Sequence, residues 1–222
     1  MKICVRDSAD VVDVVCFAVN EIVSIPERSG ERVWPTSDGD QIGLFQFVVP
    51  PDIPREMATL DELREFYCSV LPEAHKLVEI RLVKIDKLGA VRLITKAPQQ
   101  QTGFAYRGSL TFPFAKGSFV FTVDCKEGSP TGVREAILAD KMFRSGCSVE
   151  EVLFAGPAFD LAENDENFPD HPVARARRIL GELEQSITFA KSIKAQKPFP
   201  LPTEKESPWS LLRRWLYPRG KH

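Results

Sequence analysis

Four stretches between residues 77 and 125 constrain this 222-residue chain more than any other feature. They are "LVEIRLVKI" (77–85), "AVRLITKA" (90–97), "GFAYRGSLTF" (103–112) and "GSFVFTVDC" (117–125). Val78, Ile80 and Leu82 alternate in the first, and Val91 and Leu93 in the second. Phe119, Phe121, Val123 and Cys125 alternate in the last. A period of two puts such residues on one face of a strand. The connections, 86–89, 98–102 and 113–116, are short. A parallel pair needs a crossover of about a dozen residues or more, so these strands must run antiparallel.

A sheet of this kind needs cover, and the flanking sequence supplies it. Thr59 and Glu62 form a T-x-x-E capping box. Leu60, Leu63, Phe66, Tyr67, Val70 and Leu71 follow at helical spacing, and Pro72 stops the helix. After the last strand, "SPTGVREAILADKMF" predicts a helix starting near Ser129 or Thr131, with Pro130 in its first turn. "FPDHPVARARRILGELEQSITFAKSI" predicts a long helix with Asp170 as N-cap. Its apolar face runs through Val173, Ala176, Ile179, Leu180, Leu183, Ile187 and Ala190. Upstream, "VVDVVCFAVNEIV" reads as a strand from its β-branched residues, although its apolar spacing also fits a helix. "SDGDQ" (37–41) is a turn, and "IGLFQFVVPP" is a strand apolar on both faces, ended by Pro50 and Pro51.

The fold class is therefore α+β: an antiparallel β-sheet of about five to seven strands with helices on both faces, plus a C-terminal helical extension. Residues 1–195 form the α+β domain. Residues 196–206, with their run of prolines, form a linker. Residues 207–222 form a short basic amphipathic tail helix.

Charge and cysteine usage narrow the function class. The formal net charge is −2, which gives no basis for bulk nucleic-acid binding. The tail "SPWSLLRRWLYPRGKH" carries Arg213, Arg214, Arg219 and Lys221 without an acid, so the rest of the chain sums to about −6. Arg6, Asp7 and Asp10 interrupt any signal-peptide core at the start. Five cysteines (Cys4, Cys16, Cys68, Cys125 and Cys147) lack CxxC spacing, which predicts free thiols and a cytoplasmic protein.

Motifs that could carry chemistry have plainer readings. "EGSPTG" (127–132) lacks the Gly-Lys-Ser/Thr ending of a phosphate loop and reads as a strand-to-helix turn. Ser109 lacks a G-x-S-x-G elbow, and no local pattern joins it to His75, His171 or His222. Cys147, near Arg144, reads as an incidental thiol. "DLAENDENFPD" (160–170) lacks the central glycine and terminal glutamate of a calcium loop and reads as a solvated loop. Phe104, Tyr106, Phe112 and Phe114 read as core aromatics rather than a binding face. No catalytic residue, metal ligand or cofactor motif emerges.

"GLFQFVVPPDIP" ahead of the first helix and the G-x-x-Y-x-G-S pattern at Gly103, Tyr106, Gly108 and Ser109 resemble the PsbP-like superfamily, over about residues 42–145. That resemblance implies an antiparallel sheet with helices on both faces, and a role in binding other proteins. The opening residues do not match the export signal of the PsbP and DcrB-like members, so a photosynthetic or periplasmic role is not implied.

The expected function is that of a non-enzymatic cytoplasmic adaptor that binds another protein. The alternatives are a small-molecule hydrolase or transferase, and a peripheral membrane protein. The candidate binding residues lie in the tail: Trp209, Leu212, Arg213, Arg214, Trp215 and Leu216. Leu211, Leu212, Trp215 and Leu216 share a broad helical face, with the arginines beside it. About ten residues are too few for a stable helix in water, so the tail needs a surface: the body, a partner groove or, weakly, an anionic membrane.

Overall fold

The computed structural model describes residues 2–6, 13–20, 22, 31–55, 57–100 and 102–202. The tail residues Trp209, Leu212, Arg213, Arg214, Trp215 and Leu216 lie outside the described residues.

The meander is present as β5 (Lys76–Ile85), β6 (Leu88–Pro98), β7 (Phe104–Phe114) and β8 (Gly117–Lys126). β3 (Glu31–Pro35) and β4 (Gln41–Phe47) extend it through the 37–41 turn. The six strands lie in the order β3-β4-β8-β7-β6-β5, each antiparallel to its neighbours. The β5–β6 turn is tighter than expected: Asp86 and Lys87 alone form it, at φ of 46° and 73°. Two left-handed residues give the turn twist that a two-residue hairpin requires.

Each face of the sheet has its own core. α5 (Pro172–Ser186) packs across β7 and β8, and Val173, Ala176, Ile179, Leu180 and Leu183 meet Leu110, Phe112, Phe121 and Val123. Tyr106, Phe112 and Phe114 are buried here, as core aromatics should be. α1 (Leu60–Val70) covers the opposite face, where Leu63 joins Ile80 and Val91. The alternation along β6 separates the two cores, with Ala90 and Ile94 on the α5 side and Val91 and Leu93 on the α1 side. Both hydrogen bonds of the Thr59–Glu62 capping box are made.

Several boundaries differ from the sequence reading. β2 (Asp13–Ala18) is a strand, but it belongs to a second sheet with β1 (Lys2–Arg6) and β9 (Thr188–Phe189). α2 (Val133–Arg144) begins after Gly132, not at Ser129 or Thr131. The N-cap of α5 is His171 rather than Asp170: its Nδ1 accepts the Val173 amide hydrogen at 3.4 Å. α5 also stops at Ser186, because Ile187 turns extended and lets 188–189 pair with β2. α3 (Val149–Phe154), α4 (Gly156–Phe159), a 3-10 helix (162–167) and α6 (Lys191–Lys194) fill the connections. β4 is buried at Ile42 and Leu44, but its end is open at Phe47.

The linker reading of 196–206 is described as far as Pro202, and this part lies on the body. The Ala115 amide donates to the Lys197 carbonyl, and the Phe199 amide to that of Pro113. Phe199 is buried, and Leu201 packs beside it in the α1 core.

The expectation of five free thiols is overturned. Cys4 and Cys16 face each other across β1–β2, with Cα atoms 4.1 Å apart, and form a disulfide. The adjacent antiparallel strands bring the two side chains within bonding range. Cys68, Cys125 and Cys147 are free. The thiol argument for a cytoplasmic location is thereby withdrawn, since persistent disulfides belong mainly to oxidising compartments. No helix among the described residues is long and apolar enough to cross a membrane.

Candidate functional site

The first candidate is an apolar cleft beside α1. β4 ends at Phe47 and the chain turns through Val48, Val49, Pro50 and Pro51 before reaching α1. Prolines cannot extend the ladder, so this segment peels away from the sheet. A cleft of about 400 Å³ opens there, lined by Phe47, Val49, Ile53, Phe66, Tyr67 and Val70. Its rim is exposed: Phe47 at 47%, Val48 at 84%, Val49 at 59% and Val70 at 57%. Acidic residues stand around it, with Asp52 in the lining and Glu62 and Glu65 along the next groove of α1. Burial raises the Tyr67 hydroxyl pKa to about 12, so this wall stays neutral.

The second candidate lies at the N-terminal end of α5, where the sequence suggests only turns and a solvated loop. Asp160, at the end of α4, is 4% exposed. It accepts a 2.7 Å hydrogen bond from the Tyr106 hydroxyl and pairs with Lys96. The Lys96 ammonium also sits 5.1 Å from the centre of the Phe104 ring. Arg134, from α2, is fully buried and donates to the Phe159 and Leu161 carbonyls and to Asp165. Arg177, from α5, bridges Asp165 and Glu79. The acidic loop is thus a docked counter-charge for buried arginines, not a solvated one. An acid-rich loop directly before the "RARR" of α5 was the available signal.

Burial first, and then the neighbouring Asp160 carboxylate, push the Tyr106 hydroxyl far above its usual range. Burial lowers the His171 pKa to about 4, helped by Arg134. Burial likewise raises the Glu135 pKa, with Glu127 and Asp160 adding repulsion and its own backbone amide opposing. Glu79 shifts the other way: burial works against the charge, but Arg177, Arg92 and Arg81 outweigh it. His75 is exposed, and neither it nor Ser109 nor Cys147 makes any of the contacts named above. The ion pairs brace α2, α4 and α5 against the sheet.

No family model and no curated protein matches the chain. Among solved structures it is similar to the Saccharomyces cerevisiae Ran-binding protein Mog1p, at 9% identity over 81% of this chain and 92% of that one, with a TM-score of 0.44. A mutant Mog1 gives 10% identity over 82% and 94%, with a TM-score of 0.45. A Pseudomonas aeruginosa protein of unknown function, described as a putative regulator, gives 13% identity over 64% and 86%, with a TM-score of 0.31. These are likenesses of fold alone, and they carry no site residue to this chain.

Proposed function

We propose that this chain is a non-enzymatic protein-binding or adaptor protein of PsbP-like fold, and that it receives a partner segment in the cleft beside α1. The carrying observation is the exposed apolar rim of Phe47, Val48, Val49 and Val70 around a formed cleft. Soluble monomers seldom leave such a contiguous patch open without a use for it. The acids Asp52, Glu62 and Glu65 favour a segment that is apolar on one face and basic at its margins.

The tail residues Trp209, Leu212, Arg213, Arg214, Trp215 and Leu216 have that same character. The chain leaves the described body beside the α1 core, where Phe199 and Leu201 pack. The tail is therefore the natural competitor for the cleft.

The test compares four proteins: wild type, Val48→Asp, Val70→Asp and a chain ending at Pro202. Partner capture from the native host should fail for both aspartate variants while their Tm stays unchanged. Capture that rises on truncation would identify the tail as a competitor. Equal capture by wild type and both aspartate variants would sink the cleft reading. Sedimentation with phosphatidylserine vesicles that is lost on truncation would move the function to a membrane surface.

A further inference from the structure

We propose that Glu127, Glu135 and His171 form a binding site for one divalent transition-metal ion. The three residues come from separate elements. Glu127 follows β8, Glu135 lies in the first turn of α2, and His171 caps α5. One ligand atom from each lies within 4.8 Å of the others.

Two observations set this group apart from a chance cluster of acids. The His171 side chain is only 7% exposed, and its Nε2 points at Glu135 Oε1 from 3.7 Å. That Nε2 and both Glu135 oxygens are buried and make no hydrogen bond to another residue. Buried polar atoms are nearly always satisfied, so three facing orphans mark a place where something is held. Zinc–nitrogen and zinc–oxygen bonds of about 2.0–2.2 Å at tetrahedral angles put ligand atoms roughly 3.4 Å apart. The His171–Glu135 pair, at 3.7 Å, is already close to that separation, and Glu127, within 4.8 Å of both, closes the remainder on binding.

Two carboxylates face the imidazole, set against the Arg134, Arg175 and Lys96 charges that also act on it. Among the described residues, no lysine or arginine forms an ion pair with Glu127 or Glu135. The nearby cations are committed elsewhere: Lys96 to Asp160, Arg134 to Asp165 and two carbonyls, and Arg175 to Asp40. Glu127 is already aimed, because its oxygens accept amide hydrogens from Gly132 at 2.5 Å and Phe104 at 3.0 Å. Each oxygen keeps a lone pair for an ion. Gly103 makes this approach possible: a Cβ there would meet Glu127 Oε2 at 2.5 Å. An ion on Nε2 moves the ring proton to Nδ1 and gives up the long 3.4 Å contact from Val173.

One imidazole and two carboxylates suit zinc and its first-row neighbours better than calcium or magnesium. An entry path exists, since Glu127 also lines an open cleft with Gln99, Thr102, Lys126, Ser129 and Thr131.

The test uses tag-free full-length protein with Cys68→Ser and Cys147→Ser, so that the two thiols that are not fully buried cannot compete. Zn²⁺ titration should show one site per chain and a raised Tm, and Co²⁺ should give a d–d absorption band. Glu135→Gln is close to isosteric, and His171→Asn keeps an N-cap acceptor. Each should weaken Zn²⁺ binding by roughly 100-fold and abolish the Co²⁺ band. Absence of stoichiometric binding to the parent overturns the site. So does equal binding by a folded Glu135→Gln, which decides the matter even if His171→Asn fails to fold.

Discussion

Gly108 lies directly under Leu180: a Cβ on Gly108 would come within 2.7 Å of the Leu180 Cδ1 atom. This is a close approach of α5 to the sheet, at the second glycine of the G-x-x-Y-x-G-S pattern. Gly108→Ala forces Leu180 or the helix to move. Overpacking of this kind costs about 1–3 kcal/mol. Urea unfolding of the variant should show the loss. Leu180→Ala, destabilising by itself, should cost less in the Gly108→Ala background than in the wild type, because the added methyl fills part of the space it leaves.

The buried anchor Asp160 gives a graded series. Tyr106→Phe removes one donor but leaves Lys96 in place, and should cost about 1–3 kcal/mol. Asp160→Ala strands both the Lys96 charge and the Tyr106 hydroxyl, and should cost about 3–5 kcal/mol. Equal losses in the two variants would contradict the shared-anchor geometry.

Thiol counting tests the small sheet. Protein denatured without reductant should show three reactive thiols, from Cys68, Cys125 and Cys147. Full reduction should raise the count to five. A count of five before reduction would separate Cys4 from Cys16.

Acid stability tests the β5–β6 turn. The Asp86 carboxylate accepts a 2.6 Å hydrogen bond from the Phe189 amide and pairs with Lys194 at 2.9 Å. Burial opposes its charge, but these two partners outweigh burial and hold its pKa below the ordinary 3.8. Deprotonated Asp86 therefore stabilises the fold above pH 3.8, and that contribution fades as the pH drops below it. Asp86→Asn tolerates the left-handed turn position. The wild type should be the more stable at pH 7, and the gap should close in acid.

Truncation separates the body from the tail. A chain ending at Gln196 loses Phe199 and Leu201 from the α1 core, and should lose about 3–5 kcal/mol for the phenylalanine alone. A chain ending at Pro202 keeps both residues and should melt above the chain ending at Gln196. Matching melts for both truncations would show that 197–202 adds nothing.

What could be read from the sequence was local. The capping box at Thr59 and Glu62, the alternation through Phe119 and Phe121 and the turn at 37–41 each rest on neighbours within a few residues. Features that join distant residues gave no such signal. Asp160 meets Tyr106 across 54 positions, and Asp86 meets Lys194 across 108. Phe199 sits among prolines that suggest an extended linker, yet its ring finds a core that only the tertiary fold creates. His171 looks unremarkable as a helix start until α2 and the end of β8 place two glutamates beside it. Cys4 and Cys16, 12 residues apart, resemble incidental thiols until strand pairing brings them face to face.

The small sheet has a consequence for how the protein is made. β2 is sandwiched between β1 and β9, with Val15 opposite Phe189 and Cys16 opposite Thr188. Its middle strand is therefore synthesised long before β9, the strand that covers its second edge. A chain emerging from the ribosome must carry β1 and β2 with one edge unsatisfied until residue 189 is free. Contacts of such sequence separation slow folding and leave an edge available to wrong partners meanwhile. The small sheet therefore closes only once residues 188–189 have been made, long after β1 and β2, and its completion waits on the α5 core that carries β9 back to it.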